Sequence, residues 1–142
     1  MKEGSWKDCL ESNAALVVSA DRAKARSLME TAQGRISFFK KIKINEENAS
    51  FIFENYYSSV LETFHALVIL EGFKVTNHVC LGFFVRDVLK NENLFRMFDD
   101  CRWERNGIVY YGTRLSFEKA VKEIKVCELL MKEISSLVKL KM

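Results

Sequence analysis

NEENASFIFENYYSSVLETFHALVILEG, Asn45 to Gly72, carries a complete helix signature. Its apolar residues Ala49, Ile52, Phe53, Tyr56, Val60, Phe64 and Leu67 recur at the three- and four-residue spacing of one helix face. Asn45 stands where a cap is expected, and Glu46 and Glu47 suit the positive end of the helix dipole. Gly72 is a natural stop. The spacing predicts about 26 residues, roughly 39 Å of helix.

The same period extends in both directions. From Asp21 to Ile44 the apolar positions Ala25, Leu28, Met29, Ala32, Ile36, Phe39 and Ile42 follow helical spacing. Gly34 interrupts them at a cost of about 1 kcal/mol relative to alanine. Ser5 and Asp8 have capping-box spacing ahead of a short helix, Trp6 to Leu10. Ala14 to Val18 reads as an apolar linker. Beyond Gly72, a third helix starts near Thr76 or Asn77 and carries Cys80, Phe83, Phe84 and Val88, and Asn91 to Asn93 break the pattern. A fourth carries Leu94, Phe98, Cys101 and Ile108. Thr113 to Leu115 form a turn, and Ser116 caps a last helix with Phe117, Ala120, Val121, Ile124, Cys127, Met131, Ile134 and Leu137 on one face. No strand alternation and no internal repeat is visible. The expectation is a single all-α domain over residues 1–142, an up-and-down antiparallel bundle of four to five helices.

A chain of 142 residues can bury a core without disulfide or metal support. Its 49% apolar and 29% charged residues argue against disorder. A net charge of +3 permits an anionic partner but falls short of the basic excess of a dedicated nucleic-acid binder. The four cysteines, Cys9, Cys80, Cys101 and Cys127, form no CxxC pair, and neither His65 nor His78 lies at metal-ligand spacing from one. Neither a metal site nor another cofactor is expected, and reduced thiols in the cytoplasm are. The segment MKEGSWKDCLES is too polar for a signal peptide, and the run Ala66 to Leu70 is too short to span a bilayer. A cytoplasmic protein without a membrane partner is the expectation.

The residues with chemistry to offer lie in RNGIVYYG, Arg105 to Gly112. Two helical turns bring Arg105 within roughly 20° of Phe98, in line with the apolar stripe. A guanidinium there must reach water, a carboxylate or a partner, and a packed stem with a solvated head is the ordinary solution. Asn106 and Tyr110 share a helix face, whereas Tyr110 lies roughly 140° around from Arg105. Arg105 and Tyr110 therefore meet only if Gly107 and Gly112 loosen the helix, or if a second chain folds over the face. That favours a dimeric site. Tyr111, Arg102, Glu54 and Tyr57 are supporting candidates. Arg102 either extends a basic patch for phosphate or pairs with Asp99. Tyr57 and Glu54 line the cleft beside Arg105 or belong to ordinary helix packing. His65 reads as a packing residue, and His78 as a capping-region or surface residue.

RNGIVYYG resembles the R-N-x3-H signature of HEPN domains, helical bundles of higher eukaryotic and prokaryotic nucleotide-binding proteins. ENYYSSVLETFHALVILEGFKVTNH is similar to the HEPN second helix and the turn after it. WKDCLES and DRAKARSLMETAQGRISFF resemble a prokaryotic HEPN subfamily that ends its motif in YYG. The resemblance implies a homodimer with the motifs facing across the two-fold. It also implies RNA as ligand and a minimal nucleotidyltransferase as partner, since many HEPN proteins are metal-independent endoribonuclease toxins encoded beside one. Carried over by position, Arg105 takes the arginine place, Asn106 the polar place, and Tyr110 stands where the histidine is expected.

That last departure bears on chemistry. RNA cleavage without metal needs a group that both takes and gives protons near neutrality, which suits histidine. Tyrosine, with an ordinary pKa of about 10, is a poor base at neutral pH but a good hydrogen-bond donor to phosphate. The expectation is therefore binding of RNA or of a nucleotide-bearing partner through Arg105, Asn106 and Tyr110. A metal-independent endoribonuclease toxin is the alternative, and a non-catalytic structural dimer the third.

Overall fold

The structure, a computed structural model, describes residues 4–142. Six α-helices dominate it: α1 (Trp6–Glu11), α2 (Arg22–Phe39), α3 (Ala49–Leu70), α4 (His78–Phe83), α5 (Glu92–Tyr111) and α6 (Phe117–Lys141). α3 lies between α2 and α6 and is buried around much of its circumference, from Ile52 and Phe53 to Leu67 and Val68. The Ser59 hydroxyl donates to the Ala32 carbonyl at 3.0 Å, which ties α3 to α2 and satisfies that hydroxyl in the core. Phe98 of α5 stacks on Phe64 of α3 at 4.6 Å between centroids and extends the same core. Buried Glu123 of α6 accepts from the Cys101 thiol at 3.3 Å, joining α5 to α6.

Most helix boundaries follow local chemistry. Ser5, Asp21 and Ser116 accept from the backbone N–H three residues on, as N-caps do. Gly72 has a φ of +86°, a backbone state glycine reaches without strain, and it ends the α3 turn. Asn45, expected to cap α3, caps a separate turn: its side-chain oxygen accepts from Glu47 and Asn48 N–H, both at 2.9 Å. α3 starts four residues later, at Ala49. The reason is local competition, since the Asn48 side chain turns back to Asn45 N–H instead of capping forward.

Three features depart from the sequence expectation. Ala14 to Val18 is not a linker: Ala15–Val17 forms a strand, β1, antiparallel to β2 (Phe73–Val75) with Ala15 opposite Val75. Strands of three residues are too short to show alternation, and this one is defined by a partner about sixty positions away. Second, α4 continues into a π-helical turn, Phe84–Val88. It presents Asp87 to the Trp6 N–H at 2.8 Å, while Arg86 donates to the Gly4 carbonyl at 2.7 Å, so α1 is docked on this turn. Third, the thiols are not all reduced. Cys9 of α1 and Cys80 of α4 are joined by a disulfide, and only Cys101 and Cys127 are free. Such a bond is at odds with a reducing compartment. Among the described residues, no helix is long and apolar enough to cross a membrane.

Candidate functional site

α5 runs unbroken from Glu92 to Tyr111, through Gly107. It stops at Gly112, whose φ is +65° and whose N–H donates to the Gly107 carbonyl; the Thr113 N–H joins it there at 3.0 Å. RNGIVYYG is thus the closing part of a regular helix and its glycine stop. No loosening of the helix is present, yet Arg102, Arg105, Asn106 and Tyr110 all line one cleft of about 560 Å³. They line it together with a second wall of the same chain. The expectation that Arg105 and Tyr110 need a distorted helix or a second chain is corrected on this point.

The second wall is the corner where α1 leads into β1 and β2 leads into α4. It contributes Asn13, Thr76, Asn77 and His78, among others. Asn13, with a φ of +63°, turns the chain from α1 toward β1, a left-handed state asparagine tolerates better than most residues. The Thr76 N–H and hydroxyl both donate to the Ala14 carbonyl, at 2.9 and 3.2 Å. Asn77 caps α4, its side-chain oxygen accepting from Val79 N–H at 3.0 Å. The Cys9–Cys80 disulfide fastens the two segments together just behind the wall.

His78, expected to be a capping-region or surface residue, does open α4, and it also lines the cleft. It is half-buried, with its ring 6.2 Å from that of Tyr57. The Arg105 guanidinium lies over the other side of this neighbourhood, 5.8 Å from the Tyr57 ring centre. Burial first, then the positive charges of Arg105 and Arg102, hold the His78 imidazole below its ordinary pKa. No local pattern marked its place in the cleft, because only the tertiary packing of α4 on α5 brings residue 78 to residues 102–110.

The other candidates divide. Arg102 pairs with Asp99, at 2.9 and 3.0 Å, and also lines the cleft. Tyr57 is a core residue, 1% exposed, between Phe53, Phe98 and His78, and burial raises its hydroxyl pKa. Its hydroxyl has no hydrogen-bond partner. Glu54 does not line the cleft, and neither does Tyr111, which is 80% exposed beyond the rim. His65 packs on α3 as expected, half-buried and away from this cleft.

None of the described residues lining the cleft is acidic, and among the described residues no carboxylate pairs with Arg105. Two guanidiniums, the side chains of Asn106 and Tyr110, and an imidazole make a set of donors suited to an anion with several oxygens. Among the described residues, no group of three or more His, Cys, Asp or Glu is arranged to hold a metal. No family model matches this chain, and no curated protein matches it either.

Proposed function

We propose that this chain is a HEPN-like protein that binds RNA by its phosphates in the cleft between α5 and the α1–α4 corner. The observation that carries the reading is the convergence of Arg102, Arg105, Asn106, Tyr110 and His78 on one carboxylate-free cleft. Arg105 is the anchor: its stem follows the buried Phe98 along α5, and among the described residues its guanidinium has no carboxylate partner to displace. Exposed Trp103 and Tyr110, 64% and 68% accessible, stand beside the cationic groups and offer flat faces to unstacked bases. They equally suit a second copy, and the proposal includes a homodimer that meets at the exposed end of α5. A minimal nucleotidyltransferase remains the proposed partner protein, on the motif resemblance alone.

A second reading, metal-independent RNA cleavage, gains one specific observation. The missing motif histidine has a spatial substitute in His78, whose imidazole is neutral at neutral pH and can accept a proton from a 2′-hydroxyl.

The test is a labelled single-stranded RNA titrated with wild type and Arg105→Ala in the presence of EDTA. Arg105→Ala keeps its helical circular dichroism and binds about 10- to 100-fold more weakly, the scale of a lost charge-assisted hydrogen bond. Unchanged affinity in that variant overturns the proposal. Cleavage by wild type that His78→Gln abolishes moves the function from binding to catalysis.

A further inference from the structure

We infer that the cleft is a phosphate-monoester site completed by His78, whose imidazole takes up a proton as a dianionic phosphoryl group enters. A terminal phosphate is therefore held in preference to an internal phosphodiester. This rests on the phosphate-binding reading of the cleft and specifies which phosphate.

The argument is a count of charge. Arg102 is paired with Asp99, which leaves Arg105 as the cation lining the cleft that has no carboxylate partner among the described residues while His78 is neutral. One positive charge matches the single negative charge of a phosphodiester. A monoester carries between −1.5 and −2 at neutral pH, with a second pKa of about 6. It leaves a negative remainder after Arg105 is matched, and the group placed to absorb it is His78.

The groups facing His78 support this direction. From α5, Arg105 and then Arg102, whose charge Asp99 offsets in part, press the imidazole toward its neutral form, after burial itself. From α3, the Tyr57 ring packs beside it, and burial keeps that hydroxyl protonated, so it adds no charge. His65, also on α3, is held below its ordinary pKa by burial and then by His78, so it brings no fixed charge at neutral pH. The α1–β1 side contributes only uncharged Ser12, Asn13 and Ala14 to the lining. A dianion bound to Arg105 reverses the sign of the field at the imidazole. The His78 pKa then rises on binding, and affinity for a dianion grows as pH falls from the bound-state value toward the free-state value.

Two histidines in the whole chain make this directly readable by NMR. The imidazole Cε1–H signals of both are titrated against pH in chloride, and again in sulfate at equal ionic strength. Sulfate stays dianionic throughout, so its own protonation does not confuse the result. Sulfate raises the His78 pKa by about one unit, equivalent to about tenfold tighter binding to the protonated form. His65 serves as the internal control and moves little. His78→Gln still binds sulfate, through Arg105, without pH dependence. Two further arms distinguish the source of the phosphate: AMP, and a short oligoribonucleotide with either a 5′-phosphate or a 5′-hydroxyl. Preference for the 5′-phosphorylated strand over AMP assigns an RNA end, and the reverse assigns a free nucleotide. Equal binding of both strands, with His78 unmoved, overturns the monoester inference and leaves RNA binding standing. A His78 shift with sulfate and AMP, but no binding of either strand, keeps the monoester site and removes RNA. No His78 shift with sulfate, AMP or either strand, together with no strand binding, removes both.

Discussion

Around α3, the side chains that meet are apolar, lie on long helices and follow one period; around the cleft, they are mostly polar, and one long helix, α5, faces short pieces far from it in sequence. Tyr56, Val60, Phe64 and Leu67 face the core because each is three or four residues from the last. Asn13, His78 and Arg105 meet because a disulfide, a three-residue strand pair and a π-helical turn hold α1 and α4 against α5. The first region is fixed by burial and repeats its argument at every turn. The second is fixed by a few specific bonds of different kinds between distant segments. Packing thus carries the stability, while the cleft can vary its chemistry at small cost to the fold.

The largest expected effect tests the core side of that contrast. Phe64 is 1% exposed and stacks on Phe98 at 4.6 Å. Phe64→Ala should lose about 4–5 kcal/mol in urea denaturation, from the lost transfer energy, the cavity and the ring pair. A loss under about 2 kcal/mol would mean that the α3 face repacks freely, and the contrast would fail.

How much of each region the sequence revealed follows from the same difference. The α3 stripe, the Ser5 and Ser116 caps and the Gly72 stop are all set by residues within four positions of one another, and local chemistry identifies them. Arg105 was legible as a candidate because a charge in line with a buried stripe is costly, Asn106 and Tyr110 because of their places in the motif that resembles the HEPN signature, and Arg102 because it lies one turn before Arg105. Their convergence was not legible, since an isolated helix places Arg105 and Tyr110 roughly 140° apart. The place of His78 in the cleft was not legible for a related reason. Its neighbours Arg102 and Arg105 are more than twenty positions away, and the Cys9–Cys80 bond that positions α4 spans 71 residues. Four cysteines allow three complete pairings, and this fold pairs only two of them.

The second effect tests the cleft side. The disulfide closes a separation of 71 residues, and its removal in the Cys9→Ser, Cys80→Ser double variant should cost about 3 kcal/mol. Hydrogen exchange distinguishes the regions: Thr76 to Val79 should lose protection beyond the global change, while α2, α3 and α6 follow it. Equal loss everywhere would show that corner and core unfold as one unit. No loss anywhere would show that Trp6, with its edge-on contacts to Phe73 and Phe84 and its bond to Asp87, holds α1 unaided.

The smallest effect separates a bond that shapes the cleft from one that touches the ligand. Asn77 does two things: its side-chain oxygen caps α4 at the Val79 N–H, and it lines the cleft beside His78. Asn77→Ala removes the cap and should cost about 1 kcal/mol of stability. Asn77→Ser keeps a hydroxyl acceptor for Val79 N–H and should stay within about 0.5 kcal/mol of wild type. The cap oxygen is already engaged, so its main contribution to binding is to fix the start of α4 and with it the imidazole. Sulfate affinity should therefore follow the cap: Asn77→Ser stays within about twofold of wild type, and Asn77→Ala falls about fivefold, near 1 kcal/mol. Equal weakening in both variants, with stability restored only in the serine one, would show instead that the Asn77 amide contacts the anion. The corner would then hold a ligand group of its own beyond the one at His78.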